Sequence, residues 1–86
     1  MMSWYAYVIE CDDGSLYKGH TNDLNRRYQQ HCSGLGAKYT KRHKPVSLAY
    51  YEEVESLEMA VKREKYFKSG SGREFIKNKI KESHNI

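Results

Sequence analysis

Five polar side chains fall where the sequence pattern turns residues inward: Tyr7, Tyr17, Arg27, His31 and Glu64. Arg27 and His31 are four residues apart, so they project from one helical face, together with Leu24 and Tyr28. A cation and an imidazole on such a core-facing stripe cost desolvation free energy unless something uses them. Two phenols, a guanidinium, an imidazole and one carboxylate are poor material for acyl transfer. No serine has a nucleophile-elbow pattern around it, and Cys32 has no orienting partner beyond its neighbour His31. Phosphodiester hydrolysis suits the set better. Glu64 would hold one Mg²⁺ or Mn²⁺ as a Lewis acid, and Arg27 would stabilise the charge growing on the phosphate. A phenol would serve as base once a nearby cation draws its pKa down from about 10.

A hairpin and two helices must position these groups. Trp4 to Cys11 is rich in β-branched and aromatic residues and reads as a strand. Trp4, Ala6 and Val8 share one face; Tyr5, Tyr7, Ile9 and Cys11 share the other. Asp12-Asp13-Gly14 supplies a turn, and Leu16 to His20 a second strand. A two-residue Asp13-Gly14 loop would pair Cys11 with Leu16 and put Tyr7 and Tyr17 on opposite faces. A three-residue loop with Gly14 in the left-handed region pairs Cys11 with Ser15 and Tyr7 with Gly19, and both phenols then share a face. Both are ordinary hairpins.

Thr21, Asn22 and Asp23 are capping residues that open a helix ending near Gly34. From Gly34 through Pro45 the chain reads as a loop, and a long loop in so small a domain is often functional. Val46 to Val54 is a third strand, with Val46, Leu48 and Tyr50 alternating against Ser47, Ala49 and Tyr51. Ser56 caps a second helix running to about Ser69, with Leu57, Ala60, Val61 and Phe67 as its apolar positions. Glu64 lies within about 20° of Leu57 on that stripe, where a carboxylate needs a partner or a hard cation. Gly70-Ser71-Gly72 breaks the chain, and Ser71 with Glu74 fits a capping box for a third helix. That helix turns Phe75, Ile76 and Ile80 inward, with Asn78 close to their outer edge.

The 86 residues allow one domain, 1–86 with a core of about 3–80, of α+β class in the order ββαβαα. Eight Tyr, two Phe and one Trp make a shallow core edged with hydroxyls. No apolar run is long enough for a membrane span and no signal pattern opens the chain, so a soluble, cytoplasmic protein is expected. Cys11 and Cys32 are too few for a disulfide framework and read as free thiols. The net charge of +4 conceals segments that alternate in sign: −2 over 1–20, +5 over 21–45, −4 over 46–58 and +5 over 59–86. Lys38, Lys41, Arg42 and Lys44 cluster in the long loop among Tyr39, Thr40 and His43. A basic segment with aromatics suits phosphate contact and nucleic acid.

Tyr5-Ala6-Tyr7, then Tyr17-Lys18-Gly19, then Arg27-x3-His31, then Glu64, resembles the GIY-YIG nuclease superfamily. It is most similar to the small stand-alone bacterial members described as excinuclease C-type endonuclease domains. The resemblance implies a three-stranded antiparallel sheet flanked by helices and one-metal cleavage of DNA, in repair or recombination. It implies that Tyr7 and Tyr17 are the motif tyrosines, one of them the base for the attacking water. By the same resemblance Arg27 is the catalytic arginine, His31 the residue a turn later and Glu64 the metal ligand. Gly19 matches the motif glycine, and Asn78 less securely an asparagine of the third helix. Two departures stand out: Tyr5-Ala6 replaces Gly-Ile, and Lys18 replaces the second isoleucine, pointing away from Tyr17. Neither removes a catalytic group.

Each residue also has a plainer reading. Strand tyrosines are commonly sheet aromatics, Gly19 relieves crowding, and His31 suits a helix C-terminus as a cation. The alternative function is a non-catalytic nucleic-acid-binding module that keeps the fold and the basic segment. On the nuclease reading the partner is DNA, with Gly19, Lys38, Lys41, Arg42 and Asn78 as substrate-binding residues; on the other it is nucleic acid held through Lys38, Lys41 and Arg42. So small a surface leaves selectivity to DNA shape or to an unidentified partner protein. A site that uses both phenols requires the three-residue loop or an equivalent bulge.

Overall fold

The computed structural model describes residues 3–84. Strands β1 (Trp4–Cys11) and β2 (Leu16–Thr21) form an antiparallel hairpin closed by three residues. Cys11 N–H donates to Ser15 O at 2.9 Å, and Gly14 takes a φ of 83°, the left-handed value that a residue without a Cβ adopts at least cost. The register pairs Tyr7 with Gly19 and Ile9 with Tyr17. Tyr7 and Tyr17 therefore share a face, as a site built on both requires.

The element order ββαβαα holds with one addition. Helix α1 (Leu24–Cys32) is capped by Asp23, whose side chain accepts from Arg26 N–H. The segment read as a loop contains a short helix, α2 (Lys38–Arg42), before strand β3 (Pro45–Val54). Helix α3 (Leu57–Lys68) is capped by Ser56, and α4 (Gly70–His84) follows after a single residue. Ser69, not Ser71, caps α4: its hydroxyl accepts from Gly72 N–H at 3.1 Å. The two helices close so tightly that a Cβ on Gly72 would overlap the Tyr66 carbonyl.

The sheet order is β2-β1-β3, all antiparallel, so β2 is an edge strand. Ala6 and Val8 on one face pack with Phe67 and Ile76 beneath α3 and α4. Tyr7, Ile9 and Cys11 on the other pack with Tyr17, Leu24 and Tyr28 beneath α1. Burying Phe67 and Ile76 contributes about 1.5–3 kcal/mol for each side chain. The simple alternation read for β3 does not hold. A register shift between Val8 and Ile9 skips Ala49 and sends Tyr50 to the α3–α4 face but Leu48 to the α1 face. Val46 is exposed. Both cysteines are free, Cys11 buried and Cys32 exposed. No helix among the described residues is long and apolar enough to cross a membrane.

Candidate active site

Tyr7, Tyr17, Gly19, Arg27 and Glu64 line one cavity of about 450 Å³ at the edge strand β2. Three elements reach it from two sides of the sheet. Tyr7, Tyr17 and Gly19 come from the hairpin face beneath α1, which adds Arg27. Glu64 comes from α3, on the opposite face, and meets the others around the rim of β2.

Tyr7 stands over Gly19 and is only 2% exposed. A Cβ at Gly19 would lie 2.5 Å from the Tyr7 hydroxyl and 2.6 Å from Cζ. The glycine is there because the phenol occupies the space a side chain would need. Tyr7 O–H donates to His31 Nε2 at 2.8 Å, and His31 Nδ1–H donates to Thr40 Oγ1 at 2.7 Å. The direction follows from Thr40, whose single proton goes to the Ala37 carbonyl at 3.2 Å, leaving its oxygen to accept. His31 is thus a neutral imidazole with its lone pair on Nε2. It is fully buried, and burial, with Arg27 nearby, pushes its pKa down to about 4. The helix-end cation read from the sequence is replaced by a buried base, because desolvation outweighs the helix dipole here. Burial likewise pushes Tyr7 up to about 12, against the pull of Arg27.

Arg27 is held in place from two directions. Its guanidinium donates to Gln30 Oε1 at 3.0 Å and to the Gly36 carbonyl at 3.3 Å. Gly36 passes so close to His31 that a Cβ would overlap the imidazole. Tyr17 lies half-buried between ring neighbours, 5.0 Å from His31, 5.8 Å from Tyr39 and 6.4 Å from Tyr7 between centroids. Tyr39 stacks on His43 at 4.2 Å, and His43 donates to Asp13 at 2.6 Å, which ties α2 to the hairpin turn.

Glu64 is mostly buried, with 18% of its side chain exposed. His20 Nδ1–H donates to Oε1 at 2.7 Å and Lys68 Nζ to Oε2 at 2.8 Å. Burial alone would raise the carboxyl pKa, but these two hydrogen bonds hold it below the usual range. Among the described residues no group of three or more His, Cys, Asp or Glu side chains gathers to hold a metal. Asp23 also borders the cavity, but its carboxylate is spent on capping α1.

A family model described as the GIY-YIG catalytic domain matches residues 3–81. The chain belongs to the GIY-YIG family. That family is of nuclease type. The chain is 48% identical over 64 residues to the UPF0213 proteins of Staphylococcus aureus strains Mu3 / ATCC 700698 and COL, over 74% of this chain and 78% of theirs. It is also similar to the UPF0213 protein of Bacillus halodurans, solved in solution by NMR. There the identity is 39% and the TM-score 0.54, over 90% of this chain and 84% of that one.

In this GIY-YIG domain His31 lies behind the cavity wall, reached through Tyr7. Lys38, Lys41 and Arg42 are exposed on α2, outside the cavity, while their neighbours Tyr39 and Thr40 turn toward Tyr17 and His31. Asn78 is exposed on α4 and is not part of the cavity lining. Sequence reasoning missed His20, Gln30, Gly36 and Thr40. His20 had a usable signal, since strand alternation places it on the face that α3 covers, where Glu64 needed a partner. Gly36 was marked only by the Gly34-Leu35-Gly36 run. Thr40 had none.

Proposed function

We propose that the chain is a metal-dependent endonuclease that hydrolyses DNA phosphodiester bonds. The observation that carries this is the Tyr7–His31 hydrogen bond at the cavity that Arg27 and Glu64 also line. Both members are neutral, with pKa values of about 12 and about 4, so neither a free tyrosinate nor an imidazolium is at hand. A relay avoids the need for either. As water attacks phosphorus, its proton moves to the Tyr7 oxygen while the Tyr7 proton moves to His31 Nε2; the P–O ester bond opposite the water breaks, and the leaving alkoxide takes a proton from solvent. The imidazolium so formed keeps its Nδ1–H on Thr40, and the Arg27 guanidinium faces the phosphoryl oxygens that gain charge.

The donor set fits one hard divalent ion. Glu64 is an ionised, mostly buried carboxylate on the cavity wall. A single carboxylate suits Mg²⁺ or Mn²⁺, which keeps several waters and takes phosphate oxygens as further ligands. Glu64 would hold it, with Lys68 leaving Oε2. Bound there, such an ion supplies Lewis-acid polarisation of the phosphate. The basic residues Lys38, Lys41 and Arg42 would contact the backbone.

The test is incubation of the full chain with supercoiled, branched and nicked DNA, with Mg²⁺, with Mn²⁺ and with chelator. Metal-dependent nicking that is lost in Arg27→Ala and Glu64→Ala is expected. No scission of any substrate, or equal scission by those variants, overturns the proposal. Binding without scission would return the non-catalytic module.

A further inference from the structure

A second cluster of cations lies next to the cavity, on the other face of the sheet from α2. Lys18 pairs with Val8 in the register, so its side chain emerges on the α3–α4 face. Val8 packs with Ile76, and Arg73 and Lys77 sit on the shoulder of α4 beside Ile76. Lys68 follows Glu64 by one turn of α3 and reaches its carboxylate at 2.8 Å. Among the described residues neither Lys18 nor Arg73 nor Lys77 forms an ion pair.

We infer that Lys18, Lys68, Arg73 and Lys77 form a second phosphate-backbone surface, so that duplex DNA crosses the β2 edge and touches basic side chains on both faces of the sheet. The inference rests on the nuclease reading and deepens it by giving the path of the substrate. Its physical basis is placement: Lys18 on the β2 face that α3 and α4 cover, with Arg73 and Lys77 beside Ile76 and none of the three in an ion pair among the described residues. Lys18 is half-buried on the sheet face where Val8 meets Ile76, and Arg73, Lys68 and Lys77 are near enough to act on its charge. Burial first, then Arg73, Lys68 and Lys77, lower its pKa. Like charges held together in this way are unfavourable until a polyanion neutralises them.

The placement gives the path. The cavity opens at an edge strand, and basic residues stand on both sides of that edge: Lys38, Lys41 and Arg42 on α2, and this cluster on α3 and α4. Glu64 and His20 lie between, joined to the cluster through Lys68. The longest dimension of the domain is 34 Å. That is about one turn of B-form DNA, so one short duplex can meet both surfaces at once.

The experiment is fluorescence anisotropy of a labelled duplex of about 14 base pairs, with the full chain in chelator and a series of NaCl concentrations. The variants are Lys18→Gln/Arg73→Gln/Lys77→Gln and Lys38→Gln/Lys41→Gln/Arg42→Gln. Lys62→Gln, half a turn round α3 from Glu64, is the control. Each triple variant is expected to flatten the plot of log affinity against log salt by about 2 to 3, at about 0.9 for each phosphate released. Lys62→Gln leaves it unchanged. An unaltered slope in the Lys18 triple variant, with the α2 variant still impaired, overturns this inference and leaves the nuclease reading intact. No salt-dependent binding by the wild type overturns both. NMR titration of the unmodified chain gives an answer independent of variant folding. Resonances of Lys18, Arg73 and Lys77 must shift with duplex, and their remaining fixed while those of α2 move overturns the inference.

Discussion

The Tyr7 hydroxyl lies 2.8 Å from Nε2 of a fully buried His31, and the phenol covers Gly19 so closely that a Cβ there would overlap it. One chain of hydrogen bonds thus runs from the cavity into the core, from a strand to a helix 24 residues on and then to a second, short helix. Its far end is anchored, since Thr40 Oγ1 accepts from His31 Nδ1–H and its own O–H donates to Ala37 O. An imidazole fixed at both nitrogens has one tautomer and one orientation, which is what a proton acceptor for a tyrosine needs.

Tyr7→Phe keeps the ring over Gly19 and removes the proton path. DNA cleavage is expected to fall about 10²- to 10⁴-fold, the usual worth of general acid–base catalysis. His31→Gln should cost a similar amount, and the double variant no more than the worse single one, because the two side chains act as a unit. Single-turnover cleavage rates check this. Additive losses would show that the two residues work separately.

Thr40→Val leaves the His31 Nδ1–H buried without an acceptor. The expected cost is about 1–3 kcal/mol of stability, read from urea unfolding. Thr40→Ser keeps the hydroxyl and should recover most of it. Nitrogen-15 NMR of the imidazole should find the proton on Nδ1 in the wild type and a changed tautomer population in Thr40→Val. A wild-type proton on Nε2 would rule out the relay direction.

Much of this was legible in the residues themselves. Helical spacing put Arg27 with His31 and placed Glu64 on a buried stripe, and the need for two phenols on one face selected the three-residue Asp12-Asp13-Gly14 loop. What escaped has a common cause: it depends on contacts between distant segments. Helix α2 has five residues and no apolar period, and its place depends on Tyr39 meeting Tyr17 and Thr40 meeting His31. The skip at Ala49 belongs to the pairing of β3 with β1 and leaves no mark in the alternation of β3. Ser69 and Ser71 are equal as caps until Gly72 closes on the Tyr66 carbonyl. The neutrality of His31 is a property of the cavity wall that buries it.

Stability should depend on pH through that same residue. His31 has a pKa of about 4 when folded, against the 6.5 of an exposed imidazole. Between these values the unfolded chain binds the proton and the folded chain does not, so stability rises with pH across the window. Lowering the pH from 6.5 to 4 should therefore cost about 3 kcal/mol from this group. Urea unfolding at half-unit steps measures it, and His31→Gln should remove that part of the slope. An unchanged slope in the variant would assign the effect to other groups.

Gly19→Ala separates a site glycine from a glycine that only relieves crowding. The new methyl would lie 2.5 Å from the Tyr7 hydroxyl and 2.6 Å from Cζ, closer than non-bonded carbon and oxygen approach. Tyr7 is buried on both sides, so the ring must turn away and its hydroxyl must leave His31. Overpacking of this kind costs about 1–3 kcal/mol. Displacing a reacting group by about an ångström costs about 100-fold in rate, so cleavage should fall by at least that much. Gly14→Ala provides the contrast. Gly14 has a φ of 83° and open space where its Cβ would go, so alanine there strains the turn without touching Tyr7. It should lower the melting temperature and leave the cleavage rate of the folded protein unchanged. Equal losses of rate in both variants would mean that the hairpin, and not the Tyr7–His31 contact, sets the activity.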